Sequence, residues 1–175
     1  MTYINEFDKT GDCGKDGERA EKNFERIFTA RFGVKPIKAT EYQNKVEHID
    51  YFMQVKGHTA SVDVKSWKHD AENFIIEFVS YGKLGWLYGK ADYIAFETPD
   101  EQNFMMFKRE DLVMLVKRLC VVWFTQDRHK MLYRLYVRHK ERNGVHYYDC
   151  ITKLPRQKVC ELLEYWLLDK GKDEQ

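Results

Sequence analysis

Between Gly17 and Gly33 apolar residues recur at three- and four-residue steps, so that Ala20, Phe24, Ile27, Phe28 and Phe32 share one helical face. The spacing predicts one amphipathic helix over 17–33, closed by Gly33 and preceded by a polar, Gly- and Asp-rich lead-in over residues 1–16. Pro36 ends the helical pattern in the connector VKPIKATEYQNKVE. Beyond it the period changes to two. The runs VEHIDYFMQ, TASVDVKS, NFIIEFVSY and ADYIAFET are rich in β-branched and aromatic residues and predict strands in a meander, with Lys56-Gly57-His58 turning the first two into a hairpin.

The rest of the chain is punctuated by glycine and proline. GKLGWLYGK predicts a loop or a bent strand, and NFMMFKR a further strand. Asp111 is placed to cap a helix, LVMLVKRLC, and Asn143-Gly144 predicts a hairpin between MLYRLYVRHK and VHYYDCITKL. Pro155 starts a final amphipathic helix over RQKVCELLEYWLLDK. Helix, strands, helix, hairpin, helix, without a regular βαβα alternation or an internal repeat, predicts a mixed α/β fold with a partly antiparallel sheet.

A chain of 175 residues, 43% hydrophobic and 15% aromatic, is long enough to bury one core, which predicts a single domain over 1–175. Its expected parts are the flexible residues 1–16, a core over 17–107 and a C-terminal part over 108–175. The first residues lack a basic stretch followed by an apolar one, and no window approaches 18 uncharged apolar residues, so a cytoplasmic protein is expected. Cys13, Cys120, Cys150 and Cys160 show no CxxC spacing and are expected as free thiols without a chemical role.

Charge changes the picture. The formal net charge is +1, yet residues 1–107 hold 14 Lys/Arg against 18 Asp/Glu while residues 108–158 hold 13 against 5. An acidic part followed by a basic one suits a phosphate-binding protein with a cation site, since Lys and Arg neutralise a backbone and carboxylates hold a metal; a basic but merely solvated surface is the alternative. Gly-rich phosphate loops, GxSxG and HExxH are absent from the sequence.

The candidate chemistry lies in the first hairpin. In SVDVKS, Val62 and Val64 take one face and Asp63 and Lys65 the other; in HIDYF, Asp50 shares a face with His48 and Phe52, opposite Ile49 and Tyr51. Asp50 and Asp63 each lie about six residues from the turn at Gly57 and so come roughly opposite one another. Two facing carboxylates repel unless a shared cation intervenes, and carboxylate oxygens with waters suit Mg²⁺ or Mn²⁺. Lys65 would project from the same face, placed to orient a water or to offset charge on a phosphate. A solvent-exposed Asp–Lys pair is the competing reading.

The order helix, hairpin with an acid, then DVK and a further strand resembles the PD-(D/E)XK nuclease superfamily, with Asp50, Asp63 and Lys65 standing at its motif positions. The likeness spans about residues 17–97. Many members, archaeal-type Holliday-junction resolvases among them, carry a glutamate on the first helix, and Glu21 shares the inward face of Phe24 and Phe28. Here Ile49 replaces the proline of the motif and Asp63 the commoner Glu. The resemblance implies a restriction-endonuclease-like α/β core, a mixed β-sheet flanked by helices in αβββαβ order, followed in this chain by a C-terminal hairpin and helix. It implies catalysis by Asp50, Asp63, Lys65 and Glu21, with the backbone of Val64 completing a metal site. GWLYGKADYIAFE is similar to stretches of phage-encoded nuclease-like proteins.

Further candidates surround the motif. Glu77 alternates with Ile75 and Val79 on a strand, as a third ligand or a substrate contact; Gln43, Asn44, His48 and Ser66 are candidates for substrate or support, and Trp67 for stacking on a base. In the basic segment Arg134, Tyr136 and Arg138 share a strand face near Lys117, Arg118, Arg128 and Lys130, and Lys68 follows the motif directly, all suited to a nucleic-acid backbone. The expectation is a Mg²⁺- or Mn²⁺-dependent, structure-directed endonuclease on DNA, with RNA an open second substrate and a homodimer the expected assembly. A restriction-type endonuclease and a non-catalytic nucleic-acid- or protein-binding module on the same fold are the alternatives.

Overall fold

The computed structural model describes residues 12–67, 70–142 and 144–171. Most of the 1–16 lead-in lies outside them, but its end does not: helix α1 spans Asp12–Phe32, starting five residues before Gly17. Asp12 to Asp16 carry too little apolar phase for the periodicity to reveal that extra turn. Ala20, Phe24, Ile27 and Phe28 are fully buried, as their spacing predicts, and Gly33 ends the helix at φ 70 with its N–H donating to Thr29 O at 2.8 Å. The connector is not featureless. It holds a two-residue strand β1 (Ile37–Lys38) and one π-helical turn (Gln43–Glu47) ending on His48, whose φ is 55.

The hairpin pairs β2 (Tyr51–Val55) with β3 (His58–Lys65) in the register Tyr51↔Val62 to Val55↔His58. Asp50 precedes β2 rather than lying within it. The left-handed turn at His48 also breaks the expected alternation, so Ile49 packs in the same core as Phe52 and not on the face of Tyr51.

The predicted meander does not continue. β4 (Asn73–Ser80) leaves for a second sheet, and β3 instead pairs in parallel with β6 (Tyr93–Glu97). Between them run β5 (Lys83–Leu84) and a 3₁₀ turn, Trp86–Tyr88, where the αβββαβ order implied a helix. β7 (Phe104–Lys108) follows β6, and α2 (Arg109–Leu119) begins immediately. Lys108 occupies the cap position of α2, while Asp111 lies in its first turn, where a carboxylate favours the helix dipole without capping it.

The hairpin of β9 (Arg134–Arg142) and β10 (Val145–Pro155) forms as predicted, with Gly144 at φ 73 in its turn; Asn143 lies outside the described residues. β8 (Val121–Thr125) runs parallel to β9. The final helix α3 is short, Arg156–Leu162, and Trp166–Leu168 form strand β11 against β7 instead of continuing it. Burying Leu168 and pairing the edge of β7 outweigh the helical pattern of that segment.

Two mixed sheets result, in the orders β1-β2-β3-β6-β7-β11 and β5-β4-β10-β9-β8. Helix α1 packs Phe24, Ile27 and Phe28 on Tyr51, Met53, Val62 and Val64 of the first sheet. The opposite face of that sheet, with Ile94, Phe96 and Phe107, meets Phe74, Ile76 and Leu154 of the second and is closed by Leu112 and Val116 of α2. Val62 and Val64 therefore point to α1, and the intervening Asp63, in register with Ile94, points between the sheets. Among the described residues no helix is long and apolar enough to cross a membrane.

Candidate active site

The end of β3 opens into a cavity of about 440 Å³ whose wall includes Glu21, Asp50, Asp63, Val64, Lys65 and Glu77. Helix α1, the hairpin and the second sheet each contribute to it. Asp50 sits one step beyond the last hairpin pair, where its N–H donates to Val62 O at 2.8 Å. Its carboxylate accepts the Val64 N–H at 2.6 Å through Oδ2 and the Asn44 side-chain amide at 2.5 Å through Oδ1. These bonds hold a nearly buried carboxylate against the strand that carries Asp63.

Asp63 is 2% exposed. Its Oδ1 accepts from Lys65 Nζ at 2.6 Å, while Oδ2 is buried without a hydrogen-bond partner among the described residues. Burial pushes the Asp63 carboxyl well above the usual aspartate range; Lys65 opposes the shift and Asp50 adds to it. For Lys65, burial pulls the ammonium down, yet Asp63 and Asp50 outweigh it and hold its pKa above the ordinary lysine value. The Lys65 ammonium also lies 5.3 Å from the Trp86 ring centroid, a cation–π contact.

Glu21 reaches the same cavity from α1. It pairs with Lys38 at 3.2 Å, and burial followed by Asp50 raises its carboxyl pKa against the pull of Lys38 and Lys65. Glu77 on β4 lines the same cavity. His48 lines the cavity with Nε2 3.4 Å from Leu84 O, and burial, then Lys65, lowers its imidazole pKa. Ser66 lines it too and accepts from Arg19 at 3.3 Å.

Other expected positions lie elsewhere. Gln43 does not line the cavity: its side-chain oxygen accepts from the Thr40 N–H and hydroxyl, closing the turn before the π-helix. Trp67 lines the cavity, but its indole N–H donates to Glu101 at 3.1 Å. Lys68 lies outside the described residues. The expected basic face on β9 is broken up: Tyr136 is buried with Met131 and Ile151, Arg138 is ion-paired with Asp149 at 2.9 Å, and Arg134 alone of the three is exposed. Arg128 and Lys130 are exposed on a 3₁₀ turn, Lys130 paired with Asp127 at 3.3 Å, and Lys117 and Arg118 are exposed at the end of α2.

Several residues of the site carried no motif. Trp86 is held by the two glycines of GWLYG: a Cβ on Gly85 would lie 2.6 Å from Glu77 O, and one on Gly89 2.7 Å from His48 Cβ. Arg19 and Glu97 form a network behind Ser66. Glu97, fully buried at the end of β6, accepts from Arg19 at 2.8 and 2.5 Å and from Asn23 at 2.9 Å. The hydrogen bond that Arg19 donates to Glu97 raises the guanidinium pKa, against the opposing effect of burial. The paired glycines around Trp86 were a readable signal; the partnership of Arg19 with Glu97, 78 residues apart, was not.

The donor set suits a hard divalent cation. Among the described residues no three His, Cys, Asp or Glu side chains converge as a ready cluster. Asp50 and Asp63 would be the protein's direct carboxylate ligands, with Val64 and Glu21 beside them and water filling the remaining positions, as Mg²⁺ accepts. The partnerless Asp63 Oδ2 is the atom such an ion would satisfy. No family model, no curated protein and no solved structure matches the chain.

Proposed function

We propose that this chain is a metal-dependent nuclease of the PD-(D/E)XK type that hydrolyses phosphodiester bonds in DNA. The observation that carries the reading is the buried, partnerless Asp63 Oδ2 set beside Asp50 and Lys65 in one open cavity. A buried acceptor left unmade is expensive, and a divalent cation held between two carboxylates removes both that cost and their repulsion. The element order is compatible with it: α1, then β1-β2-β3, then β6 follow the αβββαβ order the sequence resemblance implies, except that β4, β5 and a 3₁₀ turn stand where its second helix is expected.

In this reading each residue has a task. Asn44 and the Val64 N–H fix the direction of the Asp50 carboxylate, leaving each oxygen a further lone pair for a cation. Lys65 holds Asp63 by one oxygen and leaves the other without a donor among the described residues. Lys65, ion-paired with Asp63, is placed to donate to a phosphate or a water and to offset negative charge growing on the phosphorus oxygens. Glu21 bounds the site from α1. Mg²⁺ or Mn²⁺, when bound, supplies Lewis-acid polarisation of the phosphate and a more acidic coordinated water.

The test incubates the protein with branched, duplex and single-stranded DNA, and with RNA, in Mg²⁺ or Mn²⁺. Cleavage abolished by EDTA and by Asp63→Ala is expected. Absence of cleavage on every substrate, or cleavage undiminished in Asp63→Ala, overturns the reading. One observation favours a non-catalytic binding module: Lys65 already compensates Asp63 directly at 2.6 Å. That reading expects nucleic-acid binding that is insensitive to EDTA and no product on any substrate.

A further inference from the structure

We infer that one strand of the nucleic acid leaves the candidate site through a cationic groove lined by Asn73, Arg128, His129, Lys153 and Arg156. The inference rests on reading the site as a phosphodiester-processing centre and adds the path of its substrate. The groove encloses about 1040 Å³ and adjoins the active-site cavity: Asn73 and Arg156 line both. Among the described residues its lining holds Arg128, Lys153 and Arg156 against Glu72, and with Lys153 paired to Asp70 the wall still carries a net positive charge. That balance fits a polyanion, and a chain emerging from a phosphodiester site brings one.

Two of these cations are held in place. Arg156 stacks over the Phe74 ring with its guanidinium carbon 4.5 Å from the centroid, and donates to Glu97 O at 3.2 Å. Lys153 is tied to Asp70 at 2.6 Å. Fixed charges of this kind set a strand's register, as phosphate contacts do, without reading its bases. Arg128 and His129 stand on an exposed 3₁₀ turn at the outer end, and the carboxylate of Asp127 accepts the His129 N–H at 3.0 Å to shape that turn. None of the five belongs to the carboxylate–lysine constellation, so binding along the groove is separable from chemistry at Asp63.

The experiment measures fluorescence anisotropy of fluorescein-labelled single-stranded and duplex DNA in EDTA, where cleavage is prevented, over a series of salt concentrations. Arg128→Ala is expected to weaken binding about tenfold at low salt and to reduce the slope of log affinity against log salt by about 1. Arg128→Lys, which keeps the charge, is expected to retain most of the affinity, and circular dichroism checks that each variant is folded. Lys35→Ala, an exposed lysine on a different pocket, serves as the control. Loss in Arg128→Ala no larger than in Lys35→Ala, an unchanged salt slope, or equal displacement of the DNA by polyglutamate overturns the groove. Wild-type cleavage that persists with an unaffected Arg128→Ala defeats the groove alone; groove-dependent binding without cleavage on any substrate defeats the nuclease reading alone.

Discussion

The Asp50 carboxylate accepts the backbone N–H of Val64 at 2.6 Å, so the acid before one strand is fastened to the residue between Asp63 and Lys65 on the next. The same bond settles a buried amide and positions a candidate ligand. Asp50→Ala removes the acceptor and leaves that amide unsatisfied, an expected loss of about 1–3 kcal/mol. Asp50→Asn keeps an acceptor oxygen and is expected to cost less. Urea unfolding of both variants measures the difference; equal losses would show that the bond contributes nothing.

Glu97 anchors a second set of contacts. With Glu97→Ala, the Arg19 guanidinium loses its main partner and keeps Glu101 at 3.0 Å and Ser66 at 3.3 Å. A loss of about 3 kcal/mol is expected for stripping a partly buried cation of its main partner. Removing Arg19 in the same protein should recover part of that loss, and a double-mutant cycle with Arg19→Ala reads the coupling. Additive losses would mean the two residues act independently.

Acid should weaken the fold through Asp70. Burial pushes its carboxyl pKa up, but the bond from Lys153 at 2.6 Å and donors from Asn73 outweigh burial and hold it below the ordinary aspartate value. A folded pKa below the unfolded one means that this stabilisation is complete above the unfolded value, about pH 4, and is lost as pH falls through the folded value. Asp70→Asn should therefore show a shallower decline in stability below about pH 4. Chemical-denaturation midpoints from neutral to acid pH check it, and parallel curves for the two proteins would rule it out.

Gly85 has an ordinary φ of −79, so Gly85→Ala meets no backbone strain and its effect is steric. The new methyl would lie 2.6 Å from Glu77 O and 2.9 Å from Glu77 C, atoms of a paired strand with little room to move. A cost of about 1–3 kcal/mol is expected, together with displacement of Trp86 from Lys65. Thermal unfolding reads the first effect and tryptophan emission the second; an unchanged melting temperature would mean that the loop simply shifts outward.

The parts of the molecule legible from residue order are those whose signal is local. Ala20, Phe24, Ile27 and Phe28 mark α1 because a single helix face must be apolar over four turns. The DVK alternation puts Asp63 and Lys65 on one face because side chains alternate along any strand, and the Gly57 turn brings Asp50 alongside. These periodicities hold here, and Glu21, Asp50, Asp63 and Lys65 line one cavity.

What residue order concealed depends on partners distant in the chain. NFIIEFVSY reads as a strand, yet nothing local says that β4 joins β10 instead of β3, nor that β3 takes β6 as its parallel neighbour. WLL belongs to a helical pattern until the open edge of β7 claims it and Leu168 is buried. On β9 the basic and aromatic residues alternate as predicted, but Asp149 on β10 engages Arg138 and the packing of Met131 and Ile151 buries Tyr136. Local alternation carries the face of each side chain; the neighbour it meets there is chosen by long-range pairing and burial, whose energies have no counterpart in adjacent residues.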